Sequence, residues 1–202
     1  MFVQYHKWYS HFSKVKNVFS SAANEPKAAW WYCNIGNLYD TQGEFTRALE
    51  YHKKALAIRE RILGVGHPDV AISYNSIGAL YTDLGDYTQA LEYCEKSLSI
   101  RECVFGTNHQ SVAMSYSNIG AIYFDLGNYT QALKHYEKSL AIRERIFGTE
   151  HPDISSSYSH IGLVYEKLGD YTKALECFEK SLSISECVFG TNHPSISSDY
   201  NN

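Results

Sequence analysis

An all-α solenoid of antiparallel helix pairs is the fold class this sequence predicts, and three regularities predict it. His67, His109, His151 and His193 recur every 42 residues. Twelve of the thirteen glycines occupy three phases of the same interval: Gly36, Gly78, Gly120 and Gly162; Gly43, Gly85, Gly127 and Gly169; Gly64, Gly106, Gly148 and Gly190. All four prolines, Pro26, Pro68, Pro152 and Pro194, share one phase, with Gln110 standing in the remaining unit. A fixed period of this length marks stacked units, each too small to bury its apolar face alone.

The second unit shows how each is built. In VAISYNSIGALYTDLGDYTQALEYCEKSLSIRECVFG, Tyr74, Ile77, Gly78 and Tyr81 stand at i, i+3, i+4 and i+7, one face of a helix. Pro68 can open this helix A, because the first helical turn needs no backbone N–H from that residue. Gly85 supplies the positive φ that ends it, and Asp86 is placed to cap the next helix. Helix B then offers Ala90, Leu91, Leu98, Val104 and Phe105 as its buried side, and Gly106 closes it.

Small residues recur where the two helices must meet. Gly78 and Ala90 have counterparts in Gly36 and Ala48, Gly120 and Ala132, and Gly162 and Ala174. A helix-interior glycine costs about 1 kcal/mol against alanine, so its recurrence predicts close antiparallel packing within each hairpin.

Four units result, at about 26–67, 68–109, 110–151 and 152–193, in an array over 24–193. Residues 1–23 carry Tyr5, Trp8, Tyr9, Phe12, Val15 and Phe19 at helical spacing, with Lys7, Lys14 and Lys16 unmatched by any acid before Glu25. They predict a divergent amphipathic helix that caps the first helix A, the alternative being a basic amphipathic helix on a membrane surface. Residues 194–202 read as the truncated start of a fifth unit, since Tyr200 repeats Tyr158 at the 42-residue interval. Leu182, Val188 and Phe189 of the last helix B are then thinly covered. This predicts a longer array, or self-association through an uncapped C-terminal repeat.

Composition limits the function classes. The 202 residues are 44% hydrophobic and 20% charged, and the formal net charge of -4 is spread over mixed acids and bases. No basic stripe points to nucleic acid. No apolar run is long enough to span a bilayer, and MFVQYHKWYSHFSKVK lacks the uninterrupted stretch of a secretion signal. The prediction is a cytoplasmic protein without a membrane partner.

The five cysteines form no CxxC pair, and an odd number cannot all pair within one chain, so reduced thiols are expected. Cys103 and Cys187 lie 84 residues apart in SIRECVFGTNH and SISECVFGTNH, equivalent points of alternate units. One histidine per layer cannot converge on one ion, so neither a metal nor a cofactor is predicted, and linker packing or helix capping is the expected role. The sequence has no GxxxxGK[ST], HExxH, GxSxG or GxGxxG, and the HxE of His135 and Glu137 lacks a PCxxC partner. A non-catalytic chain is expected.

The tyrosine, isoleucine-glycine and tyrosine of helix A with the alanine-leucine of helix B, such as Tyr116, Ile119, Gly120, Tyr123, Ala132 and Leu133, resemble the tetratricopeptide repeat proteins. The 42-residue interval and the segment IRERIFGTEHPDI are similar to the subtype found in kinesin light chains. The resemblance implies a right-handed superhelix whose inner face, lined by the A helices, holds peptide segments of protein partners. The expected function is therefore a protein-protein interaction scaffold. The interaction portion of a larger signalling or enzymatic protein, and a kinesin-light-chain-like cargo adaptor, are the alternatives.

Helical geometry of about 100° per residue selects the groove residues. Counted from the helix A glycine, six before are Trp30, Ile72, Met114 and Ser156; two before are Asn34, Ser76, Asn118 and His160. One after are Asn37, Ala79, Ala121 and Leu163; five after are Thr41, Asp83, Asp125 and Lys167. The candidate peptide-binding set is Trp30, Asn34, Asn37, Asn75 on the flank, Asp83, Asn118, Asp125, His160 and Lys167. An amide side chain both donates and accepts, so a row of asparagines suits an extended peptide backbone. The plainer reading is a solvated helix face. Asp40, Asp83 and Asp125 against the single Lys167 predict a preference for neutral or basic segments.

Overall fold

The computed structural model describes residues 26–189. Among these residues the chain forms eight helices and no strand: α1 (Pro26–Thr41), α2 (Phe45–Leu63), α3 (Pro68–Asp83), α4 (Tyr87–Phe105), α5 (Gln110–Asp125), α6 (Tyr129–Phe147), α7 (Pro152–Leu168) and α8 (Tyr171–Phe189). Odd-numbered helices are the A helices and even-numbered ones the B helices. Each A helix packs on its own B helix, and α2, α4 and α6 each pack in turn on the next A helix. The stretches 1–23 and 194–202, expected to be a cap and a truncated fifth unit, lie outside the described residues.

The boundaries follow from local chemistry. Gly43, Gly85, Gly127 and Gly169 take φ of 73° to 79° between A and B, a left-handed turn that a side chain disfavours. Asp86 accepts from the Gln89 N–H at 3.2 Å, Asn128 from Gln131 and Asp170 from Lys173 at 3.3 Å, capping three of the B helices. The repeated histidines cap the A helices. Nδ1 of His67, His109 and His151 accepts from the backbone N–H two residues on, at 3.1, 3.1 and 3.2 Å. Each does the work an N-cap serine or aspartate does elsewhere.

Within each hairpin the helix A glycine lies against a B-helix side chain sixteen residues later. A Cβ on Gly78 would sit 2.6 Å from Cys94 Sγ and 3.3 Å from the Ala90 carbonyl oxygen; on Gly120 it would sit 3.0 Å from the Tyr136 ring. Ala90 therefore brings backbone close to Gly78, while the bulk that the four glycines admit belongs to His52, Cys94, Tyr136 and Phe178. Around this contact Ile77, Ile119, Ile154, Val70, Val112 and Val164 are fully buried.

One expectation for helix B is corrected. Val104 and Phe105 are 44% and 42% exposed, and the buried side of α4 consists of Ala90, Cys94, Ser97 and Arg101. The last turn of α4 runs past the core into the linker. Phe105 there stacks on His109 at 4.5 Å between ring centroids, as Phe147 does on His151 at 4.2 Å.

The joints between units are polar and repeat. Nη1 of Arg59, Arg101 and Arg143 donates to Ser73, Ser115 and Ser157 Oγ of the next unit at 2.6, 2.8 and 2.7 Å. The same nitrogens reach the Asp69, Ser111 and Asp153 carbonyls at 3.4, 3.0 and 3.3 Å. Beside them the hydroxyls of Tyr74, Tyr116 and Tyr158 donate to Glu60, Glu102 and Glu144. In the fourth unit Ser185 holds the arginine's place and turns inward, 2.7 Å from Ser155 Oγ.

Candidate functional site

The exposed faces of α1, α3, α5 and α7 carry the residues selected from helical geometry. Near their N-terminal ends Trp30, Ile72 and Met114 are 56%, 52% and 46% exposed. Asn37, Asp83, Asp125, His160 and Lys167 are also exposed, while Asn34, Asn75 and Asn118 are half-buried. Of the remaining positions of the face, Thr41, Ala79, Ala121 and Ser156 are exposed, and Ser76 and Leu163 are half-buried.

Their polar contacts differ from unit to unit. Asn34 Nδ2 donates to the Trp30 carbonyl at 2.8 Å, inside its own helix. Asn118 Nδ2 donates to Asn75 Oδ1 at 2.9 Å, bridging α5 and α3. Lys167 pairs with its neighbour Glu166 at 3.3 Å. His160 presents an exposed edge, but its ring lies flat on Tyr136 at 5.1 Å and 9°. Burial of that flank, and secondarily the charge of Arg143, lowers the His160 pKa.

Electrostatically the C-terminal ends of α1, α3 and α5 are acidic, with Asp40, Asp83 and Asp125, whereas the last turn of α7 carries Lys167. Partial burial, and after it the charge on Asp40, raises the Asp83 carboxyl, so the two acids of successive units sense each other. Neither Asp83 nor Asp125 has an ion-pair partner among the described residues. No group of three or more metal-ligating side chains occurs among the described residues, and none of their helices is long and apolar enough to cross a membrane.

A family model of the tetratricopeptide repeat matches residues 4–61, 27–102, 69–145, 111–186 and 153–202. The chain belongs to the tetratricopeptide repeat family. Its solenoid is similar to the crystal structure of BtubC (BKLC) from P. vanneervenii, with a TM-score of 0.76 and 25% identity over 93% of this chain and 78% of that one. A putative kinesin light chain with nearly identical TPR-like repeats from Podosopora anserina aligns at a TM-score of 0.75 and 22% identity, covering 87% and 83% of the two chains. MamA aligns at 0.63 and 22%, covering 85% of each. No curated protein matches the sequence.

Two contacts around this tetratricopeptide face escape a reading by helical phase alone. The Asn118–Asn75 bond depends on how one unit is rotated on the next, which no spacing within a unit encodes. The Tyr136 shelf under His160 likewise joins α6 to α7. A signal for the joints was present: arginine and serine recur fourteen residues apart at Arg59 and Ser73, Arg101 and Ser115, Arg143 and Ser157.

Proposed function

We propose that this chain is a non-catalytic interaction scaffold that binds peptide segments of partner proteins along the exposed faces of its A helices. The Asn118–Asn75 pair carries the reading. The bond uses one donor of Asn118 and the oxygen of Asn75. It leaves the Asn118 oxygen and the Asn75 NH2 group for a ligand, one acceptor and one donor, the complement of a single peptide unit. Half-buried and bridging two units, the pair holds these groups fixed, so a bound backbone gains bonds without the cost of ordering them.

The test is affinity capture of peptides from a random library by the full chain, followed by titration of one retained peptide. Asn118→Ala is expected to weaken binding by about 1 to 2 kcal/mol, the scale of a lost hydrogen-bonding partner in a partly buried site. Stability should fall by less than about 1 kcal/mol, because Asn75 can rebind water. Equal affinities for the two forms return the asparagines to a solvated helix face and end the proposal.

A further inference from the structure

The face has two unlike edges, and together they specify a ligand more narrowly than the scaffold reading on which this inference rests. Trp30, Ile72 and Met114 make an apolar edge, one exposed large side chain in each of three successive units. Asp83 and Asp125 stand eleven residues further along α3 and α5, three helical turns and therefore the same face. Asp40, half-buried, stands beside this acidic edge in the first unit, one position before Thr41, the counterpart of Asp83. In the fourth unit both edges lapse, with Ser156 and Lys167 in their places.

The amides run between the edges, asymmetrically. Asn118 is four residues from Met114 and seven from Asp125. At 1.5 Å per residue these are about 6 Å and about 10 Å along the axis. A backbone seated on the amides thus has room for a short side chain toward the apolar edge and a long one toward the acids. Lysine and arginine have that longer reach, and they carry the charge that unpaired carboxylates favour. An acidic ligand would instead set like charges against Asp83 and Asp125.

We infer that units one to three take an extended, basic amphipathic segment, with apolar side chains against Trp30, Ile72 and Met114 and lysine or arginine against Asp40, Asp83 and Asp125. Three synthetic peptides of equal length serve as probes against the full chain: alternating Leu/Lys, alternating Leu/Glu and alternating Ser/Lys, titrated at physiological salt. The Leu/Lys peptide is expected to bind about tenfold more tightly than either other, from several modest charge and apolar contacts combined. Asp83→Lys with Asp125→Lys should reverse the order of Leu/Lys and Leu/Glu. Ile72→Ser with Met114→Ser should weaken both, and Glu95→Lys on the exposed side of α4 should change neither; circular dichroism of each variant checks its fold.

A preference for Leu/Glu, or no preference, overturns the inference; if Asn118→Ala still weakens that binding, the scaffold reading survives. Leu/Lys binding indifferent to the acid, apolar and Asn118 variants overturns both. Absence of binding by all three peptides overturns the inference, and the library capture then decides the scaffold reading alone.

Discussion

The joints between units and the hearts of the hairpins are built by opposite rules. Each of the three joints has the same arginine, serine and carbonyl, and the arginine-to-serine distances span only 2.6 to 2.8 Å. Each heart has the same glycine but a different side chain upon it, from His52 and Cys94 to Tyr136 and Phe178. A heart must only fill volume, and several side chains fill it. A joint sets the rotation of one unit on the next through directional bonds, and few groups substitute for a planar, multiply donating guanidinium. Variation is therefore tolerated inside units and suppressed between them.

The sharpest way to break this contrast is to remove a joint. Arg101→Ala should destabilise by about 2 to 4 kcal/mol, through a buried void and the lost tie to Ser115 and the Ser111 carbonyl. Denaturant melts read the loss, and Arg101→Lys should restore little of it. Full stability in the lysine variant would show that charge alone, not the fork, makes the joint.

Hearts should instead be negotiable in pairs. Gly78→Ala is expected to cost about 1 to 3 kcal/mol, because the new Cβ meets Cys94 Sγ. Adding Cys94→Ala should recover much of that cost, the remainder being set by the Ala90 carbonyl. Additive losses in the double-mutant cycle would mean that the backbone, not the side chain, fixes the glycine.

A third test uses pH. His135, stacked on Tyr123 with Tyr116 tilted against it, has its pKa lowered to about 4, first by burial and then by Lys138 and Lys134. The unfolded chain takes up this proton near pH 6.5 and the folded chain does not, so the histidine's contribution is present above 6.5 and is lost as pH falls toward 4. The full gap corresponds to roughly 3 kcal/mol. Solvent at the half-exposed ring reduces it to about 1 to 2 kcal/mol. His135→Phe should flatten the stability profile by that amount relative to the parent chain between pH 7 and 4.5, while other groups titrate alike in both.

The smallest effect belongs to the surface. The Glu92–Lys96 pair, 2.6 Å long and about half exposed on both sides, should contribute least of all, because solvent screens it. Glu92→Gln measured beside Arg101→Ala then gives the range between an exposed ion pair and a buried joint.

The fold was legible because its period is written in residues with strong local meaning: proline, glycine and a capping histidine. Val104 and Phe105 were misplaced because periodicity shows which side of a helix is apolar, not where the neighbouring helix ends. Arg101 was overlooked for a related reason: a lone cation reads as solvated, yet it is 5% exposed. On the A helices, phase sufficed to place Trp30, Asp83 and Asp125 on an open face. It could not bring Asn118 to Asn75, whose meeting depends on the pitch between units.

The uniformity of the joints also bears on how such a chain can change over generations. The stretches from Ser99 and Ser183 to His109 and His193 are nearly the same words, 84 residues apart. Unequal genetic exchange between them deletes or duplicates two whole units, leaving helix phase, turn and cap in register. Ser185 in the place of Arg101 makes the copies unequal in one respect, since the point of exchange decides whether the new boundary inherits a guanidinium. Length is thus an inherited variable that selection can alter without a new interface having to be found.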